Sequence, residues 1–254
     1  MNDISKKTKI NRLISNWPKG TIKTARELAE LGYSSQLLKT YSNSNWIELF
    51  VRGMYKLYND EVDWQGILYG LQKKSNTTLH AGGKTALALK GYSHYLSLRE
   101  SKVYFFSDRT EYFKVWLKKF EQVIQKRNEV FDYSKEEHFT MFNTGNFEIK
   151  ISSPELAAME MLYLIPQEQS FDEADKIMEG LTTLRPNLVQ SLLENCNSVK
   201  VKRLFLYLVE KNRHSWMQYI KPERINLGTG KRLIVKNGVY NKKYKITVPR
   251  ENAQ

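Results

Sequence analysis

The segment Thr21–Tyr41 constrains this chain more than any other, because it holds two helix starts separated by a single turn signal. Thr24 and Glu27 have the spacing of a capping box, in which each side chain satisfies a free amide beside the other residue. Ala25, Leu28 and Ala29 then form a narrow apolar face that a neighbouring helix can approach closely. Gly32 follows Leu31, where a helix end needs a residue tolerant of positive φ. Tyr33 fills the turn, and Ser34 or Ser35 caps a second helix. Leu37, Leu38 and Tyr41 are its inward residues. Ser35, Gln36, Lys39, Thr40 and Asn43 remain outside. A second helix with that outer face suits a DNA groove. Gln and Asn pair bidentately with adenine, while Lys, Ser and Thr reach guanine or phosphate.

The flanks extend the same unit. A helix is expected from about Ser5 to Ile14, with Ile10, Leu13 and Ile14 on one face, before Pro18-Lys19-Gly20 breaks the chain. Trp46–Leu57 holds two short β-prone runs around a turn, which suits the wing of a winged helix. Arg52 and Lys56 are then placed for phosphate or the minor groove. The competing reading of this unit is a three-helix module that packs on the rest of the chain or binds protein.

Charge sharpens the picture. The 254 residues carry a net +13. Residues 1–57 contribute +6, residues 58–198 contribute −4, and residues 199–254 contribute +11. Cationic ends around a mildly acidic middle attract phosphate through steering and counterion release. A hydrophobic fraction of 41% supports a real core. No apolar run approaches the ~20 residues that span a bilayer. Met1–Lys9 lacks the apolar stretch of a signal peptide. The single cysteine, Cys196, excludes an internal disulfide and a Cys-rich zinc site. These features lead us to expect a cytoplasmic protein.

The middle is mixed. A helix is expected over Glu61–Lys73 and another over Gly83–Leu89. His80-Ala81-Gly82-Gly83-Lys84-Thr85 looks like a phosphate loop, but the first glycine of that pattern is replaced by Thr78 and no strand is expected to lead in, so we read a helix start. Tyr92–Leu98 and Val103–Ser107 read as a hairpin around Arg99–Lys102. The segment with Trp116, Phe120, Val123 and Ile124 fits helix or strand equally. Asn143–Asn146 is a turn before a strand at Phe147–Ile151. Ser153-Pro154-Glu155 opens a helix. Further helices fit Phe171–Met178, Pro186–Glu194 and the stripe Val201, Leu204, Phe205, Leu208, Val209, giving a bundle on a small sheet. Asn237-Gly238 suggests a type I′ hairpin. Gly228-Thr229-Gly230-Lys231-Arg232 has amides beside two cations, and so reads as a phosphate or acidic-partner contact or as a plain surface loop.

Catalysis finds little support. His80, His94, His138 and His214 show no ligand spacing, there is no Gly-x-Ser-x-Gly elbow, and no Asp-x-Asp pair is present to hold two metal ions. Cys196 reads as an idle, buried thiol. No catalytic residue, metal or cofactor is assigned, and the chain is not expected to be an enzyme. The alternative is a nucleic-acid-targeted enzyme or nucleotide-binding protein that uses its basic C-terminal domain.

Three stretches together resemble the AbiEi family, the antitoxins and transcriptional repressors of type IV toxin–antitoxin, or abortive-infection, systems of bacteria. The first is Thr24–Tyr41 followed by Trp46–Tyr55. The second is Ile151–Glu160. The third is Val201–Leu208 with Leu227–Arg232. The resemblance implies an α+β protein, with a winged helix-turn-helix over residues 1–58 and a larger mixed α/β antitoxin domain over 59–254, with a sub-boundary near 150. It implies binding to inverted repeats in the chain's own promoter. It also implies phage defence by opposing a nucleotidyltransferase toxin without a stable complex. The DNA readers would be Ser35, Gln36, Lys39, Thr40, Asn43, Arg52 and Lys56, on a monomer that pairs on DNA. Lys202, Arg203, Lys231 and Arg232 are the candidates for antitoxicity or phosphate contact.

Overall fold

The computed structural model describes residues 8–92, 102–113, 117 and 120–250. Thr8 caps α1 (Lys9–Ser15), so the expected start at Ser5 lies outside the described residues. Strand β1 (Ile22–Thr24), α2 (Ala25–Glu30), α3 (Ser35–Asn43), β2 (Ile47–Val51) and β3 (Met54–Leu57) follow. The three strands form an antiparallel sheet in the order β1-β3-β2. Helix, strand, two helices and a hairpin in this order make a winged helix. Leu13, Trp17, Leu28, Tyr33, Leu38 and Ile47 are its own small core.

Helix α4 (Trp64–Gln72) joins this unit to the rest. Asp63 caps it by accepting from the Gln65 and Gly66 amides. Gly66 and Gly70 lie one turn apart on the face against β1. A Cβ on Gly66 would overlap the Gly20 carbonyl, and one on Gly70 would overlap Ile22. Two bare glycines therefore let helix and strand backbones approach closely. Ile22 and Met54 consequently belong to the main core along with Ile67, Leu68 and Leu71.

The main sheet has the order β6-β5-β4-β8-β7, built from β4 (His80–Ala81), β5 (Val103–Asp108), β6 (Val123–Asn128), β7 (Phe139–Asn143) and β8 (Glu148–Ser152). Helix α5 (Gly83–Leu89) follows β4. On the helical side, α6 (Pro154–Tyr163) is buried on every face from Glu155 to Leu162 and packs on α5. Around it stand α7 (Phe171–Glu179), α8 (Pro186–Asn195) and α9 (Val199–Lys211). A last sheet, ordered β10-β11-β9, comprises β9 (Arg232–Leu233), β10 (Val239–Asn241) and β11 (Ile246–Val248), and β11 packs on α9.

Four local readings change or are settled. A strand, β4, does lead into the His80–Thr85 segment. The expected hairpin partner of Val103–Ser107 lies mostly outside the described residues, and β5 has no edge for it. Strand β6 takes one side, while β4, the Gly82 amide and the Thr85 hydroxyl take the other. The undecided segment becomes β6 from Val123 onward, with Trp116 outside the described residues. Asn237-Gly238 does not join neighbouring strands, because β11 lies between β9 and β10. Asn237 alone has positive φ there, whereas a type I′ turn needs two such residues.

Candidate nucleic-acid interface

The turn between α2 and α3 is built as its residues suggest. Gly32 has φ +84°, its amide donates to the Ala29 carbonyl at 2.9 Å, and the Tyr33 amide donates to Leu28. Tyr33 is buried, and its hydroxyl donates to the Lys9 carbonyl, tying α1 to the turn. Ser34 caps α3 by accepting from the Leu37 amide. Thr24 accepts from the Glu27 amide at 3.1 Å, but the Glu27 carboxylate turns to Lys23, so only half of the capping box forms.

Leu38 and the half-buried Leu37 and Tyr41 hold α3 on this core. Ser35, Gln36, Lys39, Thr40 and Asn43 are all exposed. The Thr40 hydroxyl donates to the Gln36 carbonyl, which keeps it on its own helix in this state. Arg52 is exposed at the hairpin tip. The next residue, Gly53, accepts from the Ala25 amide, so the tip stands beside the start of α2. Lys56 is differently placed. Its ammonium pairs with Glu48 at 2.7 Å and donates to the Asp60 carbonyl at 2.5 Å, leaving the side chain 19% exposed.

The second candidate group divides in two. Lys231 and Arg232 are exposed. Arg203 is 1% exposed, and its guanidinium donates to the carbonyls of Leu227 (2.7 Å), Gly228 (2.9 Å), Gly230 (2.5 Å) and Lys245 (3.2 Å). The Gly228–Gly230 turn thus points carbonyls inward at a buried cation, the reverse of a phosphate cradle. Burial, and then the charge of Arg232, lower the Arg203 pKa. Lys202 is also buried, within electrostatic reach of Cys196.

Sequence spacing missed one cluster altogether. His80 and Glu160 are eighty positions apart, fully buried, and 2.8 Å apart through Nε2 and Oε1. Nδ1 of His80 meets the Thr78 carbonyl at 2.6 Å, and since a carbonyl only accepts, Nδ1 is the donor. A single proton then serves the Nε2–Oε1 contact. The pair is net neutral whichever atom holds that proton, which is how it tolerates full burial. Glu160 Oε2 also accepts from the Ser152 hydroxyl at 2.6 Å and the Gly83 amide at 2.9 Å. Burial, reinforced by Glu160, holds the Tyr133 phenol well above its usual pKa. A Cβ on Gly82 would overlap Glu160 and Phe106, so the loop packs directly on the Glu160 carboxylate. Among the described residues no group of three or more His, Cys, Asp or Glu is placed to hold a metal, and no helix is long and apolar enough to cross a membrane.

Comparison with known proteins gives a family. A family model described as "Transcriptional regulator, AbiEi antitoxin, Type IV TA system" matches residues 100–249, and a companion for the AbiEi antitoxin N-terminal domain matches residues 6–98. Among solved structures the chain is similar to the RV2827C protein from Mycobacterium tuberculosis. The identity is 10% and the TM-score 0.61, over 93% of this chain and 88% of that one, a likeness of fold. No curated protein matches the chain.

Proposed function

The chain belongs to the AbiEi family of antitoxin transcriptional regulators of type IV toxin–antitoxin systems, and from that premise we propose that it represses its own promoter through α3. The reading rests on one observation above all: the exposed row Ser35, Gln36, Lys39, Thr40 and Asn43 on a helix held by a buried Leu38. This row combines bidentate base readers with a phosphate-binding cation. Arg52 adds a second cation at the wing tip, whereas Lys56 would first have to leave Glu48.

The operator is an inverted repeat, so two copies of the chain meet on the DNA in matching orientation. Residues 1–58 carry the DNA contact. Residues 59–254 carry the antitoxin role against a nucleotidyltransferase toxin, opposing its effect without a lasting complex.

The test is binding of the purified chain to its own upstream DNA and to a scrambled duplex at ~150 mM salt. A preference of about 10³ or more is expected of a specific reader. Equal, weak binding to both duplexes would remove the repressor reading. For the second role, co-expression with the toxin should restore growth even when Lys39→Ala and Arg52→Ala abolish repression. Co-elution of a stable toxin complex would contradict the proposed mode of antagonism.

A further inference from the structure

Residues 225–250 carry seven Lys or Arg and no Asp or Glu. They build the β10-β11-β9 sheet, which buries Ile246 and Val248 as β11 packs on α9. The register then fixes what the opposite face presents. Tyr240 stands opposite Thr247, and Thr247 stands opposite Leu233. Side chains alternate along a strand, so these three form one outward row while Ile246 and Val248 point in. Leu233 is 64% exposed and Tyr240 36%. Lys231 Nζ lies 5.2 Å from the centroid of the Tyr240 ring. Lys242 and Lys245 are exposed around the row, whereas Arg232 stands opposite Ile246 in register, on the other face, and donates to the Lys231 carbonyl. Lys243 is engaged by Glu210, and Arg203 is buried beneath, so neither is counted here.

An aromatic ring and a leucine on a cationic face need a partner with both anionic and flat apolar groups. A second copy of the same face is opposed by like charge. An acidic protein segment satisfies the cations and leaves the ring row without a role. Duplex DNA hides its base faces within the stack, so it offers phosphates and groove edges but nothing to lie flat on the Tyr240 ring. A single strand offers unstacked bases to Tyr240 and phosphates to Lys231 and Lys245. We propose that the row Tyr240–Thr247–Leu233, with Lys231 and Lys245, is a stacking platform for single-stranded nucleic acid.

The platform is separate from α3. The winged helix attaches through β1 and α4, and α4 packs on β8 and β4, whereas β11 packs on α9, and α9 on α6 and α7. Lys231 resting on the Tyr240 ring is poised to move to a phosphate as a base takes its place.

The experiment is fluorescence anisotropy of a labelled oligo(dT) of ~12 nucleotides with the full chain, a length suited to a small stacking surface. It uses a Lys39→Ala, Arg52→Ala background so that the winged helix does not contribute. Tyr240→Ala should weaken binding by about tenfold, and Tyr240→Phe should stay within about twofold. Lys231→Ala with Lys245→Ala should reduce the salt slope by about 1.4, near 0.7 for each phosphate contact. Thermal unfolding of each variant checks that the sheet persists. Three results would overturn the proposal. One is a duplex of equal length competing as well as the single strand while Tyr240→Ala is silent, which makes the face a phosphate surface. Another is displacement by polyglutamate with Tyr240→Ala silent, which makes it a site for acidic protein. The third is no oligo(dT) binding at ~100 μM, the weak end of non-specific affinity.

Discussion

Glu160 Oε2 accepts the Gly83 amide at 2.9 Å, so the start of α5 already holds a carboxylate where a phosphate-binding loop would hold its ligand. The carboxylate comes from α6, and His80 fixes its other oxygen at 2.8 Å. Replacement by Glu160→Ala removes the acceptor of the Gly83 amide and the Ser152 hydroxyl and leaves the buried His80 Nε2 without its partner. A loss of about 2–4 kcal/mol is expected, read as a fall in the unfolding midpoint. Added ATP should leave the wild-type midpoint unmoved, since a ligand of the folded state would raise it. A midpoint that climbs with ATP concentration would show that the loop binds nucleotide after all.

Arg203 anchors the turn at residues 227–230 and the backbone of Lys245 through four carbonyls. Arg203→Met keeps much of the apolar volume but leaves those carbonyls without their donor, which should cost about 3 kcal/mol. Arg203→Lys should rescue little, because a point ammonium does not replace a planar fork. Hydrogen exchange would locate the loss in residues 227–248, with α3 unchanged. Uniform loss of protection across the chain would assign Arg203 a global role.

Lys39 is exposed near the middle of α3. If it meets a backbone phosphate, Lys39→Ala lowers promoter affinity and flattens the salt dependence of log K by about 0.9. An unchanged slope with altered sequence preference would place Lys39 on a base edge instead.

Glu155 is buried at the start of α6, where it accepts from the Arg185 amide at 2.8 Å and from its guanidinium twice at 3.0 Å. Burial pushes its carboxyl up, and the Arg185 hydrogen bonds outweigh that, so its pKa lies below the usual value. Glu210 is lowered as well, by hydrogen bonds from Lys243 and Tyr244. A depressed carboxylate contributes stability that is whole above the unfolded-state pKa of about 4.3 and lost as pH falls through the folded value. Stability should therefore decline on acidification below pH ~4.5. Glu155→Gln should remove about 1–2 kcal/mol at neutral pH, a modest figure because Arg185 is largely exposed, and should shallow the acid limb. Parallel acid limbs in the two proteins would discount the pair.

Cys196 is 3% exposed, and burial pushes its thiol up to about 11. Labelling by a thiol reagent at pH ~8 should be slow and follow unfolding of the chain, since only an exposed thiolate reacts. Rapid labelling of the folded protein would refute the burial.

The parts legible from sequence share a short range. Caps at Thr24, Ser34 and Ser153, the left-handed Gly32 and the α3 face all depend on residues three or four positions apart. Backbone geometry alone brings such residues together, so their pattern survives in a linear reading. That is why the winged helix and its outward row could be drawn before any tertiary contact was known. Lys56 is the exception in that unit. Its partner Glu48 stands opposite it across a hairpin, outside the three- or four-residue range of a local pattern.

By itself, then, the sequence determined the helix starts, the turn residues, the exposed face of α3 and the cationic ends, because each follows from local geometry or simple summation. Tertiary structure alone decided that Glu160 fills the amide site of Gly83, that β6 and β4 flank β5, that β11 separates β9 from β10, and that Arg203 gathers four carbonyls. Apart from the short β10–β11 pairing, those contacts join residues from 14 to 77 positions apart. Their partners are chosen by which buried polar group still lacks a hydrogen bond once the core has closed, a condition that no local pattern records.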